Sequence, residues 1–367
     1  MTVAAILPSR NEPSTIAAVT AAVDTALTDT ALTDTVLTGC PGGAVVVHAD
    51  SSDAPDTAAR FAATGTRAAK VPLTGLPRGK GAQILAAAHH LDTHPSGRDV
   101  AAVVIADTDT RNPDPGVYRA LLDRVAGGAA LAIADYPRFW DEANLTNHLA
   151  RPLIAAATGI DVPQPLAGDL AISRAALAAV RRAARALPPE LGACVDGYGI
   201  DAFLLLRAAA CGPVATVRID TPKQHAGSFP HLPDIYHQAV PVLLHLTAAT
   251  TPRLPQQQPP ARYRAADRDI EPGRLRSMLS TLEHLSEGLD GYDESAWPLP
   301  VADAWHDVTS GTPAPDAARR LWPHCTRHVR DWLTSGQHAT TSTRADQLAA
   351  AHARLHNAVL TSAGARR

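Results

Sequence analysis

The chain has 367 residues, 46% of them hydrophobic and 19% charged, with a formal net charge of -3 at pH 7. That length can bury one large core or two, and the charge balance supports neither a nucleic-acid partner nor an anionic membrane surface. No apolar run is long enough to span a bilayer, and the first residues lack the basic stretch of a secretion signal, so the expected location is the cytoplasm.

Val3 to Pro8 reads as a buried strand, followed by Ser9-Arg10-Asn11-Glu12-Pro13 as the loop into a helix. Asn11 can cap that helix, Pro13 suits its first turn, and Glu12 stands at its positive end. Ala-Leu-Thr-Asp-Thr occurs twice between Ala26 and Thr35, too briefly for a solenoid, and reads as a helix extension or surface insert. A second strand, Ala44 to Val47, runs into His48-Ala49-Asp50-Ser51-Ser52-Asp53. Open α/β sheets bind ligands at such strand ends, although Ser52 or Asp53 can also simply cap the next helix. A strand over Ala68 to Pro72 precedes Gly79-Lys80-Gly81. There the glycines would let the backbone approach an anion, with Lys80 and the helix start supplying positive potential. The spacing is not that of a Walker loop.

Val100 to Ile105 is an apolar, β-rich strand that ends abruptly in Asp107-Thr108-Asp109. Two carboxylates one residue apart at a strand tip can reach a single point. Hard oxygen ligands suit Mg²⁺ or Mn²⁺, and these ions commonly bring phosphate oxygens with them. The expected ligand is therefore a nucleoside diphosphate held through a metal; the plainer alternative is a polar strand end with one Asp as a cap. Strand–helix alternation through residue 130 predicts a right-handed, mostly parallel sheet.

Beyond it the pattern predicts a strand over 129–134, a helix over 144–158 interrupted early by Pro152, and a loop from Gln164 that becomes a strand. A helix over 175–187 follows, with Arg181, Arg182 and Arg185 read as a solvated face. An apolar helix is entered at Gly197-Tyr198-Gly199-Ile200-Asp201, and the strand Val214 to Asp220 leads to Lys223-Gln224-His225. Residues 249–262 form a linker rich in proline and glutamine. Leu275, Met278, Leu279, Leu282 and Leu285 mark an amphipathic helix. Trp297, Trp305, Trp322 and Trp332 read as core or interface anchors, because no basic stripe accompanies them. Cys40, Cys194, Cys211 and Cys325 have no metal-ligand spacing and read as reduced thiols. The last residues, from Ser362, read as a frayed end.

Leu7-Pro8-Ser9-Arg10-Asn11-Glu12 and Asp107-Thr108-Asp109 resemble the opening loop and the Asp-x-Asp of nucleotide-sugar glycosyltransferases with the GT-A fold. Gly79-Lys80-Gly81, Gln164-Pro165-Leu166-Ala167-Gly168-Asp169, Gly197-Tyr198-Gly199-Ile200-Asp201 and Gln224-His225, in that order, are more narrowly similar to glucosyl-3-phosphoglycerate synthases and mannosylglycerate synthases. The resemblance runs from about residue 3 to about residue 245. It implies an α/β fold: a Rossmann-like, mostly parallel sheet flanked by helices, with a helical C-terminal extension. It divides the chain into a nucleotide-sugar half (1–130), an acceptor half of the same domain (131–248), the linker (249–262) and a helical region (263–367).

The implied activity is retaining, metal-dependent transfer of a hexose from a nucleoside diphosphate sugar resembling UDP-glucose to a hydroxyl of a small acceptor. A homodimer is compatible with it. The resemblance also implies roles. Pro8, Ser9, Arg10, Glu12, Asp50, Lys80, Asp107 and Thr108 would hold the nucleotide. Asp109 and His225, with Asp107, would ligate Mg²⁺ or Mn²⁺. Asp201, at a family Glu position, would face the donor sugar, with Lys80 assisting catalysis. Asn144, Leu145, Thr146, Gly168 and Asp169 would bind the acceptor.

The departures from the family are specific. His48 replaces the first Asp of an Asp-x-Gly-Ser-Thr-Asp-like loop, which leaves the base open. Ala143-Asn144-Leu145-Thr146 stands where the family has Gly-Gly-Arg-Val-Thr, and Ala226-Gly227 where it has Arg-Asn. An acceptor phosphate wants guanidinium or dense donors. With both anchors lost, uncharged polyols, sugars or aminocyclitol-like acceptors are expected ahead of 3-phosphoglycerate. The alternatives are a glucosyl-3-phosphoglycerate synthase proper and a sugar-1-phosphate nucleotidyltransferase. The second normally opens with a glycine-rich loop, which Pro8 to Pro13 lacks. A silent binding protein is the third, and the intact Asp107, Asp109 and His225 argue against it.

Overall fold

The computed structural model describes residues 2–28, 43–94, 97, 99–225, 227, 229–250, 262–286 and 296–364. The second copy of the short duplication, most of the proline-rich linker, Cys40 and the last three residues lie outside this set. In chain order the elements are β1 (Thr2–Ser9), α1 (Ile16–Thr28), β2 (Ala44–Asp50), α2 (Asp56–Ala63), β3 (Ala69–Leu73) and α3 (Lys80–Thr93). Next come β4 (Val100–Ile105), α4 (Pro115–Ala126), β5 (Leu131–Asp135), β6 (Arg138–Phe139), α5 (Arg151–Thr158), β7 (Leu170–Ser173) and α6 (Arg174–Arg185). They are followed by α7 (Pro189–Asp196), α8 (Gly199–Ala209), β8 (Val214–Arg218), α9 (Leu232–Ala248) and β9 (Ala265–Ala266). The remaining helices are α10 (Pro272–Leu285), α11 (Leu299–Thr309), α12 (Ala314–Gly336) and α13 (Thr341–Gly364).

Two compact units emerge: Met1–Tyr136 with Leu166–Ala226, and Pro137–Pro165 with Gly227–Arg367. The first holds a seven-stranded sheet in the order β3-β2-β1-β4-β7-β5-β8. All neighbours are parallel except β7, which runs antiparallel to both β4 and β5. β1, β2, β4 and β5 are buried along most or all of their length, as expected where helices cover a sheet, whereas the outer strands β3 and β8 are partly exposed. Ile16, Val19 and Val23 of α1 and Tyr118, Leu121 and Leu122 of α4 pack with Leu7, Val46 and Val104 of the strands.

Local details differ from the sequence expectation where polar side chains find a partner farther away. Asn11 does not cap α1. It lies at φ 60° and its amide joins Asp53, accepting from the Asp53 N–H at 2.9 Å and donating to its carboxylate at 3.0 Å. Neither Ser52 nor Asp53 caps α2, which starts after Pro55 with no side-chain cap. Arg181 is not on a solvated face. It is buried, paired with Asp92 and 2.9 Å from His89 Nδ1.

In the second unit, α9 packs on α11 and α12, and the two-residue strands β6 and β9 pair in parallel. α9 thus belongs with the C-terminal helices, unlike the boundary read at residue 248, because Tyr236, Val240, Leu243 and Leu244 give it a buried apolar face. Trp297, Trp305 and Trp332 are buried as anchors, and Trp332 Nε1 donates to the Trp140 carbonyl at 2.9 Å.

Candidate active site

The polar tip of β4 is assembled from its two neighbours. On the β1 side, Thr108 Oγ1 donates to the Pro8 carbonyl at 2.8 Å. On the other side, β7 runs antiparallel, so its first residues arrive at the end where the parallel strands finish. Leu170 pairs with Ile105, which places Gly168 and Asp169 against Asp107. A Cβ on Gly168 would overlap the Asp107 carboxylate. Asp169 is 1% exposed: it accepts the Asp107 N–H at 3.0 Å and the Tyr136 hydroxyl at 3.0 Å.

A chain of charges runs through this point. Asp107 Oδ1 is 3.0 Å from Lys80 Nζ and Asp107 Oδ2 is 2.9 Å from Lys223 Nζ. Lys223 also pairs with Asp169 at 2.9 Å, and Lys80 with Asp201 at 2.9 Å. Two ammonium groups therefore serve three carboxylates. Burial disfavours charge on Asp107, but Lys223 and Lys80 overcome it and hold the carboxyl far below the usual range. Burial likewise opposes both lysines, yet their carboxylate partners raise them above an ordinary lysine. Asp201 is the weak member. Burial pushes it to about 6 against the pull of Lys80.

Asp109 points to a different partner. Its Oδ2 is 3.8 Å from His225 Nδ1. The loop carrying His225 is pinned to the residues after β4. Arg111 N–H donates to the Gln224 carbonyl at 2.8 Å, Gln224 N–H to Asn112 Oδ1 at 2.8 Å, and Asn112 Nδ2 to the Pro222 carbonyl at 3.2 Å. Two atoms 3.8 Å apart can both touch one ion whose ligand bonds are about 2.1 Å. Carboxylate and imidazole together suit Mn²⁺. Asp107, read as a third ligand, is not with them, because both of its oxygens lie on ammonium groups. Among the described residues no three His, Cys, Asp or Glu side chains form a metal-holding group. A divalent ion here would draw its other ligands from water and phosphate, the usual habit of Mg²⁺.

The nucleotide candidates from the first strands are interlinked. Ser9 Oγ lies 2.6 Å from His48 Nε2 and 3.3 Å from Asp50 Oδ1. Asp50 is buried and accepts from the Ser52 N–H and hydroxyl. Gln83, not singled out in the sequence, ties this corner to α3 by donating to the Ser9 carbonyl at 2.6 Å and to Ser51 Oγ at 2.7 Å. Arg10 is exposed and pairs with Asp53 at 3.4 Å. Glu12 is half-buried, and burial and the charge of Asp109 raise its carboxyl.

Gly79 and Gly81 also have a packing role. Cβ atoms there would strike the backbone of Asp196 and Val195, and Gly81 N–H donates to the Gly197 carbonyl at 3.2 Å. They seat α3 on the turn between α7 and α8, which aims Lys80 at Asp201.

No protein-family model matches the sequence, and no curated protein does. Solved structures do match. Glucosyl-3-phosphoglycerate synthase from Mycobacterium tuberculosis in complex with phosphoglyceric acid is 23% identical, with a TM-score of 0.50, over 69% of this chain and 81% of that one. The same enzyme with Mn²⁺, UDP-glucose and phosphoglyceric acid is 24% identical, with a TM-score of 0.51 over the same shares. Its complex with Mn²⁺ and UDP-glucose gives 23% and 0.50, over 69% and 80%. The chain has the GT-A fold.

In this GT-A chain the expected acceptor residues belong to both units. Gly168 and Asp169 are absorbed by the Asp107 cluster in the first unit. Asn144, Leu145 and Thr146 lie in the second unit and are all buried. Lys223 and Tyr136, missed in the sequence, complete the cluster. Lys223 stands two residues before His225, a signal visible only once Asp169 is known to be its neighbour.

Proposed function

We propose that the chain is a metal-dependent glycosyltransferase that moves a hexose, with retention, from a UDP-glucose-like donor to a hydroxyl of a small, unphosphorylated acceptor. The observation that carries this reading is the pairing of Asp109 with His225 beside the Lys80–Asp107–Lys223 chain at the strand ends of a GT-A sheet. Complexes of the similar solved enzyme with Mn²⁺ and UDP-glucose support it.

Asp109 and His225 would hold Mg²⁺ or Mn²⁺, which supplies charge neutralisation for the departing diphosphate. Lys80 and Lys223 hold the Asp107 carboxylate between them. Asp201, held by Lys80, orients the sugar and faces the positive charge that develops at its anomeric carbon. The anomeric carbon–oxygen bond to the diphosphate breaks, a bond to the acceptor oxygen forms, and the acceptor proton leaves with the diphosphate. Pro8, Ser9, Glu12 and Asp50 frame the nucleoside.

The test is release of nucleoside diphosphate from a panel of nucleotide sugars, with Mn²⁺ and with EDTA. Metal-dependent release supports the reading. Calorimetric binding of a nucleoside triphosphate but no diphosphate would favour nucleotidyl transfer instead.

A further inference from the structure

Lys80 and Gln83 stand three residues apart on α3 and so share one face of the helix. Lys80 enters the charge cluster, and Gln83 meets the ends of β1 and β2. Gln83 is 4% exposed. Its amide spends both N–H groups, one on the Ser9 carbonyl at 2.6 Å and one on Ser51 Oγ at 2.7 Å. The carbonyl can only accept, which fixes the amide orientation. Ser51 N–H donates to the same carbonyl at 3.1 Å. The Ser9 carbonyl thus joins β1, the loop after β2 and α3 at one atom.

His48 serves the side chain of the same serine. His48 and Asp50 lie two apart on β2 and share a face, and the register sets Ser9 beside Asp50. His48 is 0% exposed, stacked on Phe61 at 4.6 Å, with Nε2 2.6 Å from Ser9 Oγ. Burial lowers its pKa to about 4 against the pull of Asp50, so the ring is neutral at pH 7 and carries one N–H. Its Nδ1 is buried with no partner. A proton there would be a stranded N–H, whereas a proton on Nε2 is donated to Ser9. The Ser9 hydroxyl then gives its own proton to Asp50 Oδ1, 3.3 Å away. Asp50 Oδ1 also takes the Ser52 N–H and hydroxyl, and Ser52 Oγ accepts the Asn11 N–H at 2.8 Å. A carboxylate at position 48 would have no proton to start this chain. The Ser9 hydroxyl is spent inside the protein and keeps no proton for a nucleotide.

We propose that His48 and Gln83 are positioning residues for the donor nucleotide. Neither touches it; they lock the ends of β1 and β2 in the arrangement that receives the nucleoside. Loops ordered in advance spare part of the ordering cost of binding. His48 acts on the Ser9 side chain and Gln83 on the Ser9 carbonyl, so loss of either loosens the same residue. This role rests on the glycosyl-transfer reading, in which the corner frames the nucleoside, and adds to it how that frame is held.

The test is calorimetric titration of the full chain with UDP, in Mn²⁺ and in EDTA, and with methyl diphosphate, which lacks the nucleoside, in Mn²⁺. Gln83→Met removes both N–H groups at similar side-chain length. His48→Phe keeps a ring on Phe61 and removes the donor, and His48→Gln returns an N–H of similar reach. Gln83→Met and His48→Phe should each weaken UDP binding by about tenfold, the scale of a lost buried hydrogen bond, and by the same factor in Mn²⁺ and in EDTA. Methyl diphosphate binding should stay unchanged, and His48→Gln should recover most of the loss. Unchanged UDP affinity in either variant would overturn the proposal. So would an equal loss for methyl diphosphate, which would make these side chains general supports of the fold, or a His48→Gln chain no better than His48→Phe. A wild-type chain that binds UDP under neither condition would overturn the donor reading instead.

Discussion

Gly168 has no freedom to carry a side chain, because a methyl group there meets the Asp107 carboxylate. Gly168→Ala should destabilise the fold by about 1–3 kcal/mol in urea unfolding, as overpacking does, and should lower activity by displacing Asp107. Lys223 is 5% exposed and neutralises Asp107 and Asp169 together. Lys223→Met should cost roughly 3–5 kcal/mol of stability, the range for breaking a buried ion pair and stranding its partner. A loss within experimental error would mean the carboxylates are well solvated. The Asp107-Thr108-Asp109 spacing and the distant His225 were legible in the sequence. The division of labour was not, because local spacing cannot reveal that an antiparallel strand delivers Asp169 and that Lys223 then claims Asp107.

The strands were legible as elements because β-branched runs bounded by polar loops have few other solutions. Helix starts were less so. Asn11, Ser52 and Asp53 have the chemistry of caps, but the loops after β1 and β2 lie side by side and their polar groups bind each other. The Gly79-Lys80-Gly81 start of α3 was legible as special, although its packing against α7 and α8 was not. Gly81→Ala should therefore separate these helices. Its expected signature is a stability loss of about 1–3 kcal/mol together with weaker nucleotide diphosphate binding. Weaker binding at unchanged stability would return these glycines to a direct ligand role.

The second unit has its own pH response. His148 and His328 lie 3.0 Å apart between Trp332 and Trp297. Burial lowers His148 to about 3, and burial together with its neighbour lowers His328 well below the usual value. Both are neutral in the fold, whereas the unfolded chain takes up protons below about pH 6.5. Stability is therefore full above about 6.5 and should fall as pH drops toward 3, by about 1.4 kcal/mol per pH unit for His148, with His328 acting in the same direction. Urea unfolding at several pH values checks this, and His148→Asn should remove about one proton from the slope. A slope unchanged in that variant would show that other groups govern acid unfolding. For the molecule as a whole, the proposed transfer depends on Asp109 and His225 holding a divalent ion on the donor's diphosphate. The most direct measurement is calorimetric titration of UDP into the full chain with Mn²⁺ or with EDTA, for wild type, Asp109→Ala and His225→Ala. Mn²⁺ should strengthen wild-type binding by roughly 1–3 kcal/mol, as charged contacts to phosphate do, and either substitution should abolish that gain. Equal UDP affinity in Mn²⁺ and EDTA, or a gain that survives both substitutions, would rule out a metal held by Asp109 and His225.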